Sequence, residues 1–161
     1  MRLILIGAPG SGKTTLAHIL SKKLRAPHIE VDRIFWGEGD LRAELLRLIK
    51  QDDWILEGHL SKHHDITFPR ANAFLVITGN PLVFLYRSLK RDLLSPSRFW
   101  FNLKNHRRME RKRQELIQKI IKRRPEEIFY LENLSYPTES ELKSLTEALI
   151  ASTSKSLDEP I

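Results

Sequence analysis

The sequence of 161 residues contains no cysteine, and this absence excludes a disulfide framework and any thiolate metal site. It also lacks an apolar run of the roughly 18–20 residues that a membrane span requires, so we expect no membrane partner. The chain begins directly with strand-like residues, and we expect no signal peptide before them. These absences are compatible with a reducing compartment, and we expect a cytoplasmic protein.

The chain length and its 41% hydrophobic content are sufficient for one buried core. Internal repeats are absent from the sequence. We therefore expect a single domain over residues 1–161.

Residues 7–14 read G-A-P-G-S-G-K-T and match the Walker A phosphate-binding pattern G-x-x-x-x-G-K-[ST]. A short apolar run at residues 3–6 precedes this phosphate loop, and apolar residues at helical spacing follow it over 16–24. The alternative is a glycine-rich turn that binds nothing. The agreement of motif, strand and helix favours a nucleoside triphosphate site.

Each position of this phosphate loop has a chemical reason. Gly7, Gly10 and Gly12 allow the backbone to turn its N–H groups toward a phosphate, and the helix N-terminus adds further donors. Lys13 can reach the β- and γ-phosphates, and the Thr14 hydroxyl can bind Mg²⁺. The predicted nucleotide-binding residues are Gly7, Pro9, Gly10, Ser11, Gly12, Lys13, Thr14, Thr15 and Arg87.

Strand and helix patterns alternate along the chain. The predicted strands are 2–6, 28–31, 54–57, 73–78 and 127–131, and the predicted helices are 13–25, 40–50, 81–94, about 97–123 and 139–151. Capping signals support several boundaries: Asn80-Pro81, the T-x-x-E of Thr138–Glu141, and Arg124-Pro125. This order predicts an α/β, three-layer P-loop NTPase fold with a five-stranded parallel sheet.

Two acidic residues end the second predicted strand, close to the expected mouth of the phosphate loop. Strand alternation places Glu30 and Asp32 on the same side. A carboxylate at Asp32 could align a substrate hydroxyl and accept its proton, or it could simply cap the loop that follows. Glu30 could orient the waters of a magnesium ion.

The third predicted strand ends in Glu57. A hydrophobic strand that ends in an acid is the general form of a second phosphate-site motif, which holds Mg²⁺ through water. The alternative is a solvated acid at a strand end. We therefore predict Thr14, Glu30 and Glu57 as the metal-binding residues.

Positive charge is concentrated in one segment. The net charge of the chain is +7. Residues 87–124 hold 14 Lys or Arg and 3 acids, a net +11, which leaves −4 for the rest of the chain. An anionic partner is expected at this segment: a nucleotide, a nucleic acid or both. The alternative for any single arginine is an ordinary solvated helix surface.

Several motifs together resemble a known family. They are the phosphate loop, V-D-x-x-F-W at 31–36, W-I-L-E-G-H-L-S-K at 54–62 and L-Y-R-x-x-x-R at 85–91. In this order they are similar to the bacterial topology-modulation-protein family, an adenylate-kinase-like branch of P-loop kinases, over about residues 1–135. Family members usually carry Asp-Gly-Asn where this chain has Glu57-Gly58-His59. The spacing of Glu30 and Asp32 also resembles the paired acids of shikimate kinase-like enzymes, which bind magnesium water and a substrate hydroxyl.

The resemblance implies Mg²⁺-dependent transfer of the γ-phosphate of ATP to a nucleoside, nucleotide or other small acceptor. It also implies a basic helical flap, at about residues 92–112, that closes over the nucleotide. The catalytic residues would be Lys13, Asp32, Arg91 and Arg107. The alternative function is a nucleotide-switched nucleic-acid-binding protein that uses residues 87–124. The sequence predicts neither the acceptor nor the oligomeric state.

Overall fold

The computed structural model describes residues 1–35, 40–58, 60, 63–132 and 137–155. Across these residues, five strands form one parallel sheet in the order β2-β3-β1-β4-β5. The strands are Arg2–Ile6 (β1), His28–Glu30 (β2), Trp54–Glu57 (β3), Ala73–Thr78 (β4) and Ile128–Glu132 (β5). The predicted five-stranded parallel sheet is confirmed.

Helices connect the strands and cover the sheet. They are Lys13–Leu24 (α1), Val31–Phe35 (α2), Leu41–Leu48 (α3), His64–Thr67 (α4), Pro81–Arg91 (α5), Pro96–Arg123 (α6) and Glu139–Lys155 (α7). Short 3₁₀ turns lie at Phe68–Arg70, Asp92–Leu94 and Pro125–Glu127. In the described ranges, no helix has the length and apolar character to cross a bilayer.

The sheet is buried on both faces, which makes the fold three-layered. Along β1, Leu3 and Leu5 pack into one apolar cluster with α1 and α7, whereas Ile4 and Ile6 pack into another with α3 and α6. Alternation along the strand sends successive side chains to opposite faces. The apolar run that precedes the phosphate loop is therefore the centre of the core.

The strand order places the phosphate loop at the C-terminal end of the central strand of the sheet. β1 lies between β3 and β4, and Glu30 of β2 is in register with Glu57 of β3. All five strands are parallel, so their carboxyl ends lie on the same side of the sheet as the phosphate loop. Ligands of open α/β sheets bind beyond the carboxyl ends of the strands.

The predicted helix boundaries with capping signals are confirmed. The Asn80 side chain accepts a hydrogen bond from the Leu82 N–H at 2.9 Å, with Pro81 at the first helical position. At α7, the Thr138 N–H donates to Glu141 at 2.6 Å, and the Glu141 N–H donates to the Thr138 hydroxyl at 3.3 Å. This reciprocal pair is the predicted capping box.

The predicted strand 28–31 is one residue too long, and the difference affects an acid of the site. β2 ends at Glu30, and α2 begins at Val31. Strand alternation therefore does not place Asp32, which is carried by the first turn of a short helix.

The predicted helix 81–94 is also too long. α5 ends at Arg91, and a 3₁₀ turn follows over Asp92–Leu94. Pro96 explains the interruption, since the residue before a proline is disfavoured in the helical region and Ser95 has φ −133° and ψ 82°. A new helix, α6, starts at Pro96.

The two halves of α6 have different surroundings. Leu116, Ile117 and Ile120 are buried in the core beneath the sheet. Before them, Lys104, Arg107 and Arg108 lie at the surface, and α6 also packs against α5. The helix therefore links the core to the surface that carries most of the positive charge.

Candidate functional site

The backbone of the phosphate loop has the conformation that its glycines predict. Gly10 and Gly12 have φ values of 80° and 85°, in the left-handed region that favours glycine. A Cβ at Gly10 would lie 2.1 Å from the carbonyl oxygen of Phe84 in α5. The loop is therefore closely packed as well as conformationally specific.

The N-terminus of α1 provides a site for an anion. Gly12 is the N-cap residue and provides no side-chain cap, and the first turn contains no acidic side chain. The first N–H groups of a helix have no partner within the helix, and the helix dipole favours negative charge there. These features fit a phosphate group.

Lys13 folds back over the phosphate loop. Its ammonium donates to the carbonyl oxygens of Gly7 at 2.9 Å and Ala8 at 3.0 Å. Burial lowers the pKa of Lys13 from its ordinary value; the carboxylates of Glu57 and Asp32 counteract this, and the charges of Arg113 and Arg91 add to it. Two carboxylates and two guanidinium groups therefore surround this lysine.

Thr14 and Glu57 are joined directly. The Thr14 hydroxyl donates to Oε1 of the buried Glu57 at 2.9 Å. Burial favours a higher pKa for Glu57, but the neighbouring His28 imidazole, the charge of Lys13 and the hydrogen bond from Thr14 lower it below its ordinary value. A hydroxyl that donates to a carboxylate keeps its lone pairs for a cation, so this donor set fits Mg²⁺.

Asp32 lies against the end of β3. A Cβ at Gly58 would lie 3.2 Å from Asp32 Oδ1, and Gly58 has a φ of 119°. Asp32 itself is exposed. The close approach of α2 to β3 therefore requires glycine at position 58 and holds an exposed carboxylate near Lys13. Position 59 of the same motif lies outside the described residues.

Glu30, the other predicted acid of the second strand, forms an ion pair. Its carboxylate accepts from Arg33 Nε at 2.7 Å. Glu30 lines an open cleft of about 420 Å³ together with Thr14 and Thr15. The structure therefore brings Glu30 to the same cleft as Thr14 but pairs it with an arginine.

The predicted arginines occupy three environments. Arg91 pairs with buried Asp92 at 3.0 Å and lies close enough to Lys13 to affect its pKa. Arg87 is partly buried on α5, and Arg107 is exposed on α6. The structure thus brings Arg91 close to Lys13 and leaves Arg107 exposed on α6.

Arg113 lies near the phosphate loop and was not predicted as a site residue from the sequence. It lines a cavity of about 70 Å³ between the phosphate loop and α6, together with Pro9, Gly58 and Met109. Its guanidinium forms a two-point pair with Glu110, one turn earlier. Arg113 lies six residues after Arg107, about 120° around the helix. The register of Arg113 with buried Leu116, Ile117 and Ile120 is the signal that could have identified it.

Another arginine of the basic segment is structural. Arg124 donates to the carbonyl oxygens of Phe68 at 3.1 Å and Ala71 at 3.0 Å, and it pairs with Glu127. Arg124 lies over the ring of Phe74 at 5.9 Å from the centroid. It fixes the end of α6 to the core, so the expected anionic partner cannot use every positive charge of the segment.

Sequence comparison finds one family model that spans the phosphate loop and several adenylate kinases that match part of the chain. The model of the ATPase family associated with various cellular activities (AAA) matches residues 3–53. The adenylate kinase of Corynebacterium diphtheriae is 60% identical over 42 residues, 24% of this chain and 23% of that protein. The adenylate kinase of Streptomyces scabiei is 40% identical over 50 residues, 31% of this chain and 71% of that protein. The chain spans about a quarter of the length of the first curated relatives it matches.

Structural comparison covers the whole chain. The shikimate kinase of Aquifex aeolicus vf5 has a TM-score of 0.60 at 22% identity, covering 99% of this chain and 100% of that one. The gluconokinase of Sinorhizobium meliloti 1021 has a TM-score of 0.52 at 15% identity, covering 95% of this chain and 91% of that one. These likenesses agree with the fold described above. The family follows from sequence: because the chain covers 71% of the Streptomyces scabiei adenylate kinase at 40% identity, it belongs to the adenylate-kinase-like P-loop kinases.

Proposed function

We propose that this chain binds ATP and Mg²⁺ at the phosphate loop and transfers the γ-phosphate to a small acceptor. The acceptor is a nucleoside, a nucleotide or another small molecule with a hydroxyl or phosphate group. One observation carries the proposal: Lys13, the Thr14–Glu57 pair and Asp32 meet at the carboxyl ends of the central strands. The names of the relatives, adenylate kinase, and of the solved structures, shikimate kinase and gluconokinase, support it.

Binding begins with the groups of the phosphate loop. The left-handed glycines and the first turn of α1 present N–H groups to the phosphates, and Lys13 exchanges its contacts with Gly7 and Ala8 for phosphate oxygens. Thr14, with Glu57 behind it, would hold Mg²⁺, which neutralises charge on the phosphates when bound.

Transfer then requires an oriented acceptor and stabilised charge. Asp32 is exposed near Lys13, where it can align an acceptor hydroxyl and accept its proton. Arg113 and Arg91 add positive charge around the same lysine. Fixed positive groups at the transferring phosphate favour the transition state over the ground state.

The proposal is tested by a phosphotransfer screen. Purified protein is incubated with ATP and Mg²⁺ and with nucleosides, nucleoside monophosphates, sugars or hydroxy acids, and ADP and phosphorylated product are measured. We expect product from at least one class, and its loss in Lys13→Ala. Lys22→Ala, an exposed lysine later in α1, is the matched control. Equal amounts of product from Lys13→Ala and wild type would show that the phosphate loop is not required for phosphotransfer.

A second candidate function rests on the surface of α5 and α6. We propose as the alternative a nucleotide-switched nucleic-acid-binding protein that uses this surface. Many basic side chains here are exposed: Lys90, Arg91, Lys104, Arg107, Arg108, Arg111, Lys119, Lys122 and Arg123. Such a face can bind a polyanion through its phosphates.

A further inference from the structure

A histidine on the edge strand lies beside the acid of the candidate magnesium site. His28 is in register with Ile55, and Glu30, two residues later, is in register with Glu57. The His28 side chain is 16% exposed, and its Nε2 lies 3.7 Å from Glu57 Oε1. The neighbouring strand therefore presents an imidazole to a buried carboxylate.

The same carboxylate oxygen also contacts the phosphate loop. Glu57 Oε1 accepts from the Thr14 hydroxyl at 2.9 Å. Glu57 Oε1 is thus hydrogen-bonded to Thr14 of α1 and lies within ion-pair distance of His28 of β2. Glutamate has one more rotatable bond than aspartate, so a group that holds its carboxylate reduces the conformational entropy lost when the site is used.

The surroundings of His28 indicate more than core packing. His28 lines the open cleft of about 420 Å³ beside Thr14, so its ring does not fill a closed core. His18 lines the same cleft from α1 and is exposed. Of these two histidines, which both lie in the described ranges, only His28 is within ion-pair distance of Glu57.

We propose that His28 is a positioning residue for magnesium-dependent nucleotide binding. Its Nε2–H fixes the Glu57 carboxylate, which holds the proton of the Thr14 hydroxyl and leaves the hydroxyl lone pairs directed to the cation. The inference rests on the proposed function, because it assigns a role within the same nucleotide site. Groups that orient the ligands of a metal commonly change its affinity by about 10–100-fold.

The test compares ATP binding with and without Mg²⁺. Affinities are measured by isothermal titration calorimetry in EDTA and in excess Mg²⁺, so that the ratio gives the gain due to the cation. We expect His28→Leu to reduce this gain by about tenfold and to leave the affinity in EDTA unchanged. His28→Gln places an amide N–H close to the position of Nε2 and should restore most of the gain. His18→Leu removes the other histidine of the cleft and should keep the wild-type gain.

Each result is decisive. A wild-type gain in His28→Leu, or an equal loss in His28→Gln, would overturn the positioning role. Should circular dichroism show that His28→Leu is unfolded, His28→Asn replaces it, since its shorter amide does not reach Glu57 and the same loss is expected. Wild-type protein that binds no ATP in either condition would defeat the proposed function and this inference together, whereas a normal gain in wild type and His28→Leu alike would defeat the inference alone.

Discussion

Asp32 is held beside Gly58 at the start of α2, where its negative charge raises the pKa of Lys13. Asp32→Asn keeps the shape of the side chain and removes its charge. We expect turnover to fall by about 10²-fold or more, the scale of a lost general base, and ATP affinity to change little. Steady-state kinetics and nucleotide titration on the same preparation measure both quantities.

The contrary outcomes for Asp32 are distinct. Unchanged turnover would remove Asp32 from the mechanism. Loss of the folded circular dichroism spectrum would indicate a structural role at the contact between α2 and β3 instead.

Arg113 and Arg91 both act on the pKa of Lys13, and alanine variants should rank them against Arg107. Arg113→Ala and Arg91→Ala should each lower kcat by about 10²–10³-fold, with smaller changes in ATP affinity, because fixed donors act mainly on the transition state. Arg107→Ala should cost less, since Arg107 lies about 120° around α6 from Arg113. Measuring kcat and ATP affinity for each of the three variants, and comparing both values with wild type, tests this ranking.

Arg107 remains a predicted catalytic residue, and the same series tests it. If Arg107→Ala lowers kcat as much as Arg113→Ala, α6 must rotate or close when nucleotide binds. Protection of residues 95–115 from hydrogen exchange on addition of ATP and Mg²⁺ would then accompany the kinetic loss. Equal kcat in Arg107→Ala and wild type would remove this residue from the site.

At the scale of single elements, the capping box of α7 makes a stability prediction. Thr138→Ala removes the hydroxyl that accepts from the Glu141 N–H, and we expect the free energy of unfolding to fall by about 1 kcal/mol. Ser144→Ala, at an exposed position within the helix, is the control and should change stability less. Urea unfolding followed by circular dichroism measures both.

The pH dependence of this cap has a definite sign. Hydrogen bonds from the Thr138 N–H and hydroxyl lower the pKa of Glu141 below its ordinary value of 4.5. The stabilisation from Glu141 is therefore present above pH 4.5 and is lost as the pH falls through the folded-state pKa. The difference between Thr138→Ala and wild type should shrink in acid, and a difference that grows there would contradict the assignment.

The elements that local signals specify were predictable. The strand β1, the phosphate loop, and the caps at Asn80 and Thr138 depend on neighbouring residues, and each appears where the pattern indicates. The end of β2 depends instead on tertiary contact, because α2 starts where Asp32 packs against Gly58. A strand pattern does not contain that contact.

Only those parts of the candidate site that depend on one continuous segment could be predicted from the sequence. Residues 7–14 could be assigned from the motif alone, since their chemistry depends on spacing along one segment. His28 and Arg113 could not, because their neighbours Glu57 and Lys13 are distant in sequence. The adjacency of β2 to β3 and the rotation of α6 about its axis decide those two positions.

At the scale of the whole molecule, the uneven distribution of charge leads to a prediction about DNA binding. The net +11 of residues 87–124 should give weak, salt-dependent binding to duplex DNA, whose slope against log salt falls by about one in Arg108→Ala. We expect phosphotransfer by that variant to equal wild type, because Arg108 is exposed. Filter binding at several salt concentrations, with and without ATP and Mg²⁺, gives both the slope and its dependence on nucleotide.

Nucleotide dependence decides between the functions. The kinase proposal expects the same DNA affinity with and without ATP. A DNA affinity that changes several-fold on addition of ATP, together with no phosphotransfer to any acceptor, would favour the nucleotide-switched alternative.

The continuity of α6 gives the molecule a mechanical property. From Leu116, which is anchored in the core, to Pro96 the helix runs 20 residues without a break, about 30 Å at 1.5 Å per residue. A tilt of about 10° at the anchored end would move the far end by about 5 Å, whereas Arg113, one turn from the anchor, would move by less than about 1 Å. The helix is thus a lever whose short arm is at the phosphate loop and whose long arm is at the surface. A small movement of α6 at the phosphate loop would therefore displace its N-terminal end by several ångström. Distance measurements between spin labels, one near the loop and one at that end, would detect this displacement.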